Sequence, residues 1–420
     1  MFGPKIISDK GTEVEILEPG THNRDAGPDF SAAVIRVGDM EWAGNVEIHV
    51  KASDWERHGH HHDKAYDSVI LHVVGVDDMT ARRTDGSEIL QASVAPPASF
   101  FDRYAALIEN SGDSQACLEM IHMIPRLNIT DWLSTLGIER IQEKASHMKS
   151  LLQLSHGDWQ QAIFIMMARA LGFGLNGLPF ELLAKSISLN FIMRHKDNPL
   201  QVEAFVFGQA GFLTPGLYEH DEYYSSLVRE YDFLRKKYNL TPIETHLWKF
   251  SRTRPLNSPQ RRLAILSKLL LEGMQFYDVI LDSKGDYDTL MERLDVAASP
   301  YWHFHTKLGD QASEDPIPAR LSKESREIIL INVMAPFYYA YGSATGDADM
   351  AEKGTDLLNE IKPEKNFITS MWARKGIKAD NAFYSQALIQ LRRNYCERSR
   401  CLECRFGHYL LKTCMHLRHS

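Results

Sequence analysis

The chain has 420 residues, of which 44% are hydrophobic and 24% charged, and its net charge is −8. These proportions are ordinary for globular proteins and exclude an intrinsically disordered chain, and the length allows two or three domains. The acidic balance argues against a protein that coats nucleic acid over its whole surface, but it leaves room for local basic faces. The longest apolar runs fall well short of the ~20 residues that cross a bilayer, and the N-terminus lacks a signal-peptide pattern. We therefore expect a cytoplasmic protein with no membrane partner.

The first 115 residues carry the patterns of β-strands, separated by glycine and proline turns. The strand segments are Glu13–Glu18, Phe30–Val37, Glu41–Ala52 and Ser68–Val76. Ser53 is placed to cap a short helix that begins at Asp54, so the order is strand, strand, short helix, strand. This predicts an α/β domain with a mixed sheet over residues 1–115.

After Pro96-Pro97 a period of 3.6 residues dominates, which is typical of helices with one buried face. The helical segments are Thr130–Leu154, with Thr130 as its cap, Trp159–Leu171, Pro179–Leu189, Tyr223–Tyr238, Pro259–Gly273, Lys323–Tyr341 and Ala382–Arg393. There is no internal repeat of fixed period, which argues against a solenoid. We predict a large all-α domain over residues 116–380 and a separate C-terminal segment over residues 381–420, giving an α+β protein.

The strands on either side of the Gly38-Asp39 turn can be paired by matching their apolar faces. A three-residue loop places Phe30 opposite Ile48 and closes that face, whereas a register shifted by one places Phe30 opposite a glutamate. The first register also sets Asp29 across from His49 on the polar face. We therefore predict the three-residue loop and a polar cluster on one face of the sheet.

Two carboxylates of this face, Asp29 and Glu47, lie on neighbouring strands and could hold Mg²⁺ or Mn²⁺ between them. Such an ion activates water and neutralises a phosphate, and His49 or Lys51 would then orient the water or stabilise developing charge. The alternative is that Asp29 caps a turn and that Glu47 and His49 lie on a solvated strand face.

These residues resemble the PD-(D/E)XK nuclease superfamily. Pro28-Asp29 is followed by Glu47-Ile48-His49, a helix and another strand, and the resemblance covers residues 13–76. It implies a restriction-endonuclease-like fold and a metal-dependent nuclease with Asp29 and Glu47 as metal ligands. The chain departs from the superfamily in two respects: His49 stands where the lysine is usual, with Lys51 two residues later, and the usual preceding helix is not evident.

Six histidines are concentrated near this segment: His49, His58, His60, His61, His62 and His72. Imidazole is the commonest ligand for transition metals. His72 interrupts an apolar strand, so we predict it as a further metal ligand, the alternative being a core histidine with satisfied hydrogen bonds. The density of histidines also suggests a second enzyme class, a histidine-rich metallohydrolase that acts on something other than nucleic acid.

Three cysteines and a histidine are crowded near the C-terminus with the spacing C-x4-C-x2-C-x3-H. They are Cys396, Cys401, Cys404 and His408, and Cys414 is an alternative fourth ligand. This arrangement predicts a structural Zn²⁺ knuckle. An iron–sulfur site completed by Cys414 or Cys117 and a set of ordinary thiols are the two alternatives.

Two basic segments are candidates for contact with nucleic acid. One is interleaved with the cysteines and contributes Arg398, Arg400 and Arg405, and the other contributes Arg252 and Arg254. Arginines on a metal-stapled surface could bind phosphates, in which case binding would weaken steeply with salt. The alternative for the C-terminal segment is a solvated basic face.

Arg261 and Arg262 stand at the start of a predicted helix, where the helix dipole disfavours positive charge. Helix stability therefore does not explain them. They either pair with carboxylates of the helical domain or contribute to an anion-binding surface.

A broader resemblance links nearly the whole chain to a bacterial family whose function is not characterised. It is carried by the segments 27–30, 44–50, 53–55, 70–74 and 250–255 and by the terminal cysteines. This resemblance implies no activity. Our leading functional hypothesis from the sequence is a metal-dependent nuclease, and the alternative from another class is a non-catalytic protein that binds nucleic acid or a protein partner.

Overall fold

The computed structural model of the chain describes residues 5–23, 26–94, 100–102, 104–105, 116–218, 220–251, 253, 255–272 and 276–413. The chain divides into two compact units, residues 1–117 with 407–420 and residues 118–406. The first unit contains a mixed sheet and the second is helical, which confirms the predicted α+β class.

The sheet of the first unit has seven strands. They are β1 (Lys5–Ile7), β2 (Glu13–Glu18), β3 (Thr21–His22), β4 (Phe30–Val37), β5 (Met40–Lys51), β6 (Val69–Val76) and β7 (Gln91–Ser93). Their order is β1-β2-β4-β5-β6-β7, and β3 also pairs with β4. The pairs from β1 to β5 are antiparallel, whereas β5, β6 and β7 run parallel to one another. The short helix α1 (Asp54–Arg57) lies in the connection that a parallel β5–β6 pair requires.

The register of β4 and β5 differs from our prediction. Val37 pairs with Met40, so the loop has two residues rather than three, and Gly38 supplies the positive φ that such a turn favours. The register then shifts by one at a β-bulge, where Ala32 has a φ of 55°, and Phe30 pairs with Val46. The bulge resolves the conflict that the shorter loop would otherwise create, because it keeps Phe30 opposite an apolar residue.

The sheet curls, since Ser8 next to β1 forms an antiparallel bridge with Ala92 of β7. Apolar side chains fill one side of this curl: Val14, Ala33, Ile35, Val46, Leu71 and Ala92. A second, smaller cluster forms around Trp55 of α1, with Val69, Ala81 and Ile89. Ser53 occupies the N-cap position of α1, but its hydroxyl donates to Asp78 and makes no capping bond, which corrects its predicted role.

The second unit is built from helices packed around one large apolar core. Its longest helix, α3, starts at Arg126 after Pro125, so the predicted cap at Thr130 is wrong. Its helices are α3 (Arg126–Leu154), α4 (Trp159–Leu171), α5 (Gly177–Lys185), α6 (Leu189–Met193), α7 (Pro199–Gln209), α8 (Glu222–Tyr238), α9 (Pro259–Glu272), α10 (Phe276–Ser283), α11 (Tyr287–Arg293), α12 (Lys323–Ile329), α13 (Ala335–Thr345), α14 (Ala348–Glu360), α15 (Phe367–Arg374) and α16 (Ala382–Gln390). The boundaries between the two units fall within α2 (Ala116–Glu119) and α17 (Arg405–Thr413).

Two π-helical turns interrupt helices that the periodicity predicted as continuous. Leu330–Met334 joins α12 to α13, and Leu391–Cys396 follows α16. Within the described part of the chain, every helix is too short or too polar to span a lipid bilayer.

Candidate metal centre

The centre is built on β5. In this strand polar side chains are buried and an apolar one is exposed, the reverse of the usual pattern for a half-buried strand. Glu47 and His49 are 5% and 9% exposed, whereas Ile48 between them is 47% exposed. Burying polar groups while exposing an apolar one costs free energy. Strands that do so are expected at functional sites, where the buried polar groups have a role. The inner face of β5 is therefore where a functional site is expected.

The connection after β5 brings two more histidines to this face. α1 ends at Arg57, His58 is its C-cap, and a 3₁₀ turn begins at His60. Gly59 between them has a φ of 78°, a conformation that glycine adopts at little cost, and it reverses the chain locally. His58 is exposed to solvent, whereas His60 is buried, so the cluster is open on one side.

His49, His58 and His60 each direct one ring nitrogen to a common point, with the three ligand atoms within 4.8 Å of one another. His49 Nε2 and His58 Nδ1 are 3.2 Å apart. Two ligands of a tetrahedral Zn²⁺ with ~2.0 Å bonds lie ~3.3 Å apart, so this separation is what a shared ion requires. The buried His60 Nε2 makes no hydrogen bond within the described residues.

Glu47 lies at the side of the three histidines. Its Oε1 is 3.5 Å from His49 Nε2 and 3.4 Å from His60 Nε2. It does not belong to the set of ligand atoms that all lie within 4.8 Å of one another. The group therefore offers three histidine nitrogens with a carboxylate beside them, a donor set that resembles those of catalytic rather than structural zinc sites.

A chain of hydrogen bonds behind His49 fixes which of its nitrogens faces the cluster. Gln91 Nε2 donates to Asp77 and to the carbonyl of Met79, so Gln91 Oε1 must face His72 and accept from its Nδ1. His72 Nε2 is then the acceptor for Nδ1–H of His49, at 2.8 Å. The lone pair of a neutral His49 is consequently on Nε2, the atom that faces His58.

The electrostatics of the cluster favour neutral imidazoles. Burial, and secondly the neighbouring His72, lowers the pKa of His49 to about 4, and burial likewise lowers the pKa of His60 to about 4. Trp55, fully buried, packs edge-on against both rings. Burial raises the pKa of Glu47 to about 7. At neutral pH both imidazoles are therefore unprotonated, as a metal ligand must be.

Asp29, just before β4, and Glu47 of β5 lie close together. Each carboxylate accepts a hydrogen bond from a backbone N–H of the other segment. Glu47 Oε2 accepts from the N–H of Asp29 at 3.0 Å, and Asp29 Oδ2 accepts from the N–H of Ile48 at 2.9 Å. The bulge at Ala32 creates this register. Asp29 thus positions Glu47, whose second oxygen is left to face the histidines.

The other predicted residues of this site have different places. His72 is fully buried behind His49, and hydrogen bonds occupy both its ring nitrogens, so it supports a ligand rather than serving as one. Lys51 is exposed at the end of β5. His58 and His60 were not among our predicted ligands, although both belonged to the histidine-rich segment; their convergence depends on the left-handed turn at Gly59.

The terminal cysteines are described only in part. Cys404 is buried, and burial, followed by the neighbouring Cys404, raises the pKa of the Cys401 thiol. Among the residues that the structure describes, the histidine group is the single set of three or more ligand atoms within 4.8 Å, so Cys396, Cys401 and Cys404 do not form a second one. Cys414 lies outside the described residues, and the zinc knuckle stays a prediction.

The predicted nucleic-acid contacts divide into three cases. Arg400 pairs with Glu403 and Arg405 pairs with Asp131, so carboxylates already balance these charges. Arg398 is exposed. Arg252 and Arg254 lie outside the described residues. Binding of nucleic acid by these arginines therefore stays a prediction.

Comparisons with known proteins identify a family but no activity. No curated protein and no solved structure matches the chain. The family model described as "Protein of unknown function (DUF2851)" matches residues 4–367, well over half of the chain. This match agrees with the broader resemblance read from the sequence, and the chain therefore belongs to the DUF2851 family of proteins of unknown function.

Proposed function

We propose that the N-terminal unit is a metal-dependent hydrolase whose metal is bound by His49, His58 and His60, and that phosphodiesters are its substrates. The observation that carries the proposal is the convergence of three histidine nitrogens within 4.8 Å beside a buried carboxylate. The resemblance to the PD-(D/E)XK nucleases supplies the choice of substrate, and the paired Asp29 and Glu47 are the residues that carry it.

The ligand set favours a transition metal over Mg²⁺. Mg²⁺ prefers oxygen ligands and retains several waters, and Mn²⁺ shares the preference for oxygen, whereas neutral imidazoles suit Zn²⁺, Fe²⁺ and Ni²⁺. The histidine group therefore favours a different ion from the two-carboxylate site that the sequence suggested. We expect activity with Zn²⁺ to exceed activity with Mn²⁺ or Mg²⁺.

In this proposal the metal supplies an activated water and a positive charge opposite the scissile phosphate. Glu47 is the general base, because its Oε1 lies beside the histidine nitrogens, where a water on the metal would be within reach. Asp29 orients Glu47 through the bond from its own N–H to Oε2. The exposed side of His58 is the side from which substrate enters.

The test is hydrolysis of single- and double-stranded DNA and RNA, and of bis(p-nitrophenyl) phosphate, by full-length protein reconstituted with Zn²⁺, Mn²⁺ or Mg²⁺. We expect His60→Ala to lose both bound metal and activity, and Glu47→Gln to retain metal while losing activity. The matched control is His62→Ala, which removes an exposed histidine two residues away that does not belong to the cluster.

Equal hydrolysis by the wild type, His60→Ala and Glu47→Gln would trace the activity to a contaminant and reject the assignment. Metal binding by His60→Ala with wild-type stoichiometry and affinity would reject the site itself. Metal bound at the cluster, with every phosphodiester left intact, would reject the substrate class.

The histidine-rich ligand set favours a second candidate function, hydrolysis of a carboxylic ester or amide. Three histidines with one open position also suit attack of a metal-bound hydroxide on a carbonyl. Parallel assays with p-nitrophenyl acetate and bis(p-nitrophenyl) phosphate separate the two, because His60→Ala abolishes turnover of the true substrate class.

For the C-terminal segment we propose a structural zinc site formed by Cys396, Cys401, Cys404 and either His408 or Cys414; without the ion the three thiols do not form a group within 4.8 Å of one another, so the site would close when zinc binds. The support is the spacing of these residues in the sequence and the closeness of Cys401 to Cys404, which helps to raise the pKa of the Cys401 thiol. Metal analysis of His60→Ala and of Cys401→Ser distinguishes the two sites. We expect the first variant to retain one zinc that the second loses.

A further inference from the structure

A cavity of about 350 Å³ lies in the helical unit. Its wall is formed by the end of α4, the start of α5, the start of α9 and part of α12. Most of the wall is apolar, with Leu171, Phe173, Phe180 and Ile328 among its residues. A volume of this size and a largely apolar wall with few polar groups are typical of sites for small molecules.

Arg262 of α9 contributes the charge of this cavity. Arg262 is 7% exposed, and among the described residues no carboxylate pairs with it. Its Nη2 donates to Asn257, Phe173 lies against the guanidinium with its ring centroid 4.4 Å away, and Nε has no hydrogen-bond partner. A buried cation without a counter-charge is costly unless something supplies the missing anion.

The neighbouring Arg261 shows how this fold treats an arginine with a structural role. Arg261 is 4% exposed, and its guanidinium donates to the carbonyls of Trp302, His305 and Pro318. These bonds hold the segment after α11 against α9 and account for its burial. Arg262 has no comparable set of partners, so the structural explanation that suffices for Arg261 does not extend to it.

The charge around the cavity is one-sided. No aspartate or glutamate occurs among the described residues that line it, and the polar ones besides Arg262 include Asn176, Thr253 and Ser325. Pro259, the first residue of the 14-residue helix α9, also lines the cavity, and the helix dipole favours negative charge at this end. Guanidinium and helix start thus act in the same direction.

We propose that this cavity binds a small organic anion, with a phosphate or carboxylate head on Arg262 and an apolar or aromatic body against Phe173 and the surrounding apolar wall. A guanidinium pairs with either head group through two parallel N–H bonds. The sequence left open whether the arginines here pair with carboxylates or bind anions, and the geometry favours the second for Arg262.

The test measures binding of phenyl phosphate, benzoate and inorganic phosphate to the full chain by calorimetric titration. All titrations use the His60→Ala background, which removes the proposed metal as a competing phosphate site. We expect one saturable site for phenyl phosphate, with weaker binding of inorganic phosphate because it lacks the apolar body.

Arg262→Met should weaken binding of phenyl phosphate at least about tenfold, and Arg262→Lys should weaken it less, since lysine keeps the charge but not the planar pair of donors. Arg235→Met, which removes a half-exposed arginine of α8, is the control and should bind as the parent does. Phe173→Leu should reduce the preference for phenyl phosphate over inorganic phosphate, and it serves if Arg262→Met does not fold. Absence of saturable binding of all three probes to the parent protein, or equal affinity of the parent and Arg262→Met, would overturn the proposal.

Discussion

Two glutamates with the same exposure, one in each unit, differ in whether the chain supplies cations to balance their charge. Glu47 and Glu181 are both 5% exposed. Around Glu181 stand three basic side chains: Lys185 Nζ at 2.6 Å, His147 Nε2 at 3.8 Å and the guanidinium of Arg169. Around Glu47 stand histidines whose pKa values are lowered and which are therefore neutral.

The consequence appears in the pKa of each carboxyl. Burial alone would raise both, but hydrogen bonds from Lys185 and Arg169 outweigh burial and lower the pKa of Glu181 below its ordinary value. Burial raises the pKa of Glu47 to about 7, although the hydrogen bond from the N–H of Asp29 acts in the opposite direction. The cluster at Glu181 contains its own cations. In the cluster at Glu47, the carboxylate and the neutral histidine nitrogens face one another with lone pairs, and no cationic side chain of the described residues lies between them. A cation from outside the chain would complete the second cluster, as it does in metal sites.

The largest effect we expect is loss of metal from His60→Ala. Removing one of three histidine ligands should weaken Zn²⁺ binding by more than the ~10–100-fold that supporting residues typically contribute. Competition with a chromophoric chelator measures the affinity, with His62→Ala as the control. If both variants bind the metal as tightly as the wild type, the histidines beside Glu47 are not the metal site. The difference in pKa between Glu47 and Glu181 then has another cause.

A smaller effect is expected one layer further out, at His72. His72→Phe keeps the ring volume but removes the acceptor for Nδ1–H of His49, so His49 is no longer held with Nε2 toward the cluster. We expect Zn²⁺ affinity to fall ~10–100-fold. The same competition assay checks this, and unchanged affinity would show that His72 fills the core without orienting His49.

The glutamates themselves give a matched pair of stability measurements on metal-depleted protein. Glu181→Gln removes a charge that two cations, Lys185 and Arg169, stabilise, and because those cations are partly exposed we expect a modest loss of ~1–2 kcal/mol. Glu47→Gln removes a charge that no cation stabilises, so at a pH above 7 it should leave stability unchanged or raise it. Urea denaturation at pH 8 measures both, and an equal loss in the two variants would erase the distinction drawn here.

Much of the fold could be predicted because its longer elements bury one face. β2, β4 and α4 have the predicted bounds, β5 differs by one residue at each end, and β6 differs by one residue at its start. The helix α7 was missed because Val202–Gln209 are all buried, so the segment shows no periodicity of 3.6. The strands β1, β3 and β7 have two or three residues each, too few for an alternating pattern.

The candidate site was predicted in part for similar reasons. Asp29, Glu47 and His49 could be identified because strand pairing relates them through one turn. The register was wrong because the bulge at Ala32 has no signal in an alanine side chain, although the positive φ there decides which backbone groups Asp29 reaches. His58 and His60 lie on a connection whose path depends on a single left-handed residue, and periodicity contains no information about such a turn.

The smallest effect that we expect concerns Lys144, a lysine of the helical unit, and the dependence of stability on pH. This lysine of α3 is half-buried, and its ammonium donates to Gln386 at 2.6 Å and to the carbonyl of Ile331 in the first π-helical turn. Burial, and secondly Arg140, lowers the pKa of Lys144 to about 7 from its ordinary 10.5.

Between pH 7 and 10.5 the unfolded chain therefore binds more protons at this site than the folded chain does, so the contribution of Lys144 to stability rises with pH across that window. Below pH 7 both states are protonated at this site, and its dependence on pH vanishes. Lys144→Met should flatten the slope of unfolding free energy between pH 7 and 10, whereas Lys236→Met, a change at a lysine that is 72% exposed, should keep the wild-type slope. Identical slopes in all three proteins, measured by urea denaturation across this range, would mean that Lys144 remains protonated when folded, and that the helical unit stabilises this charge as it does that of Glu181.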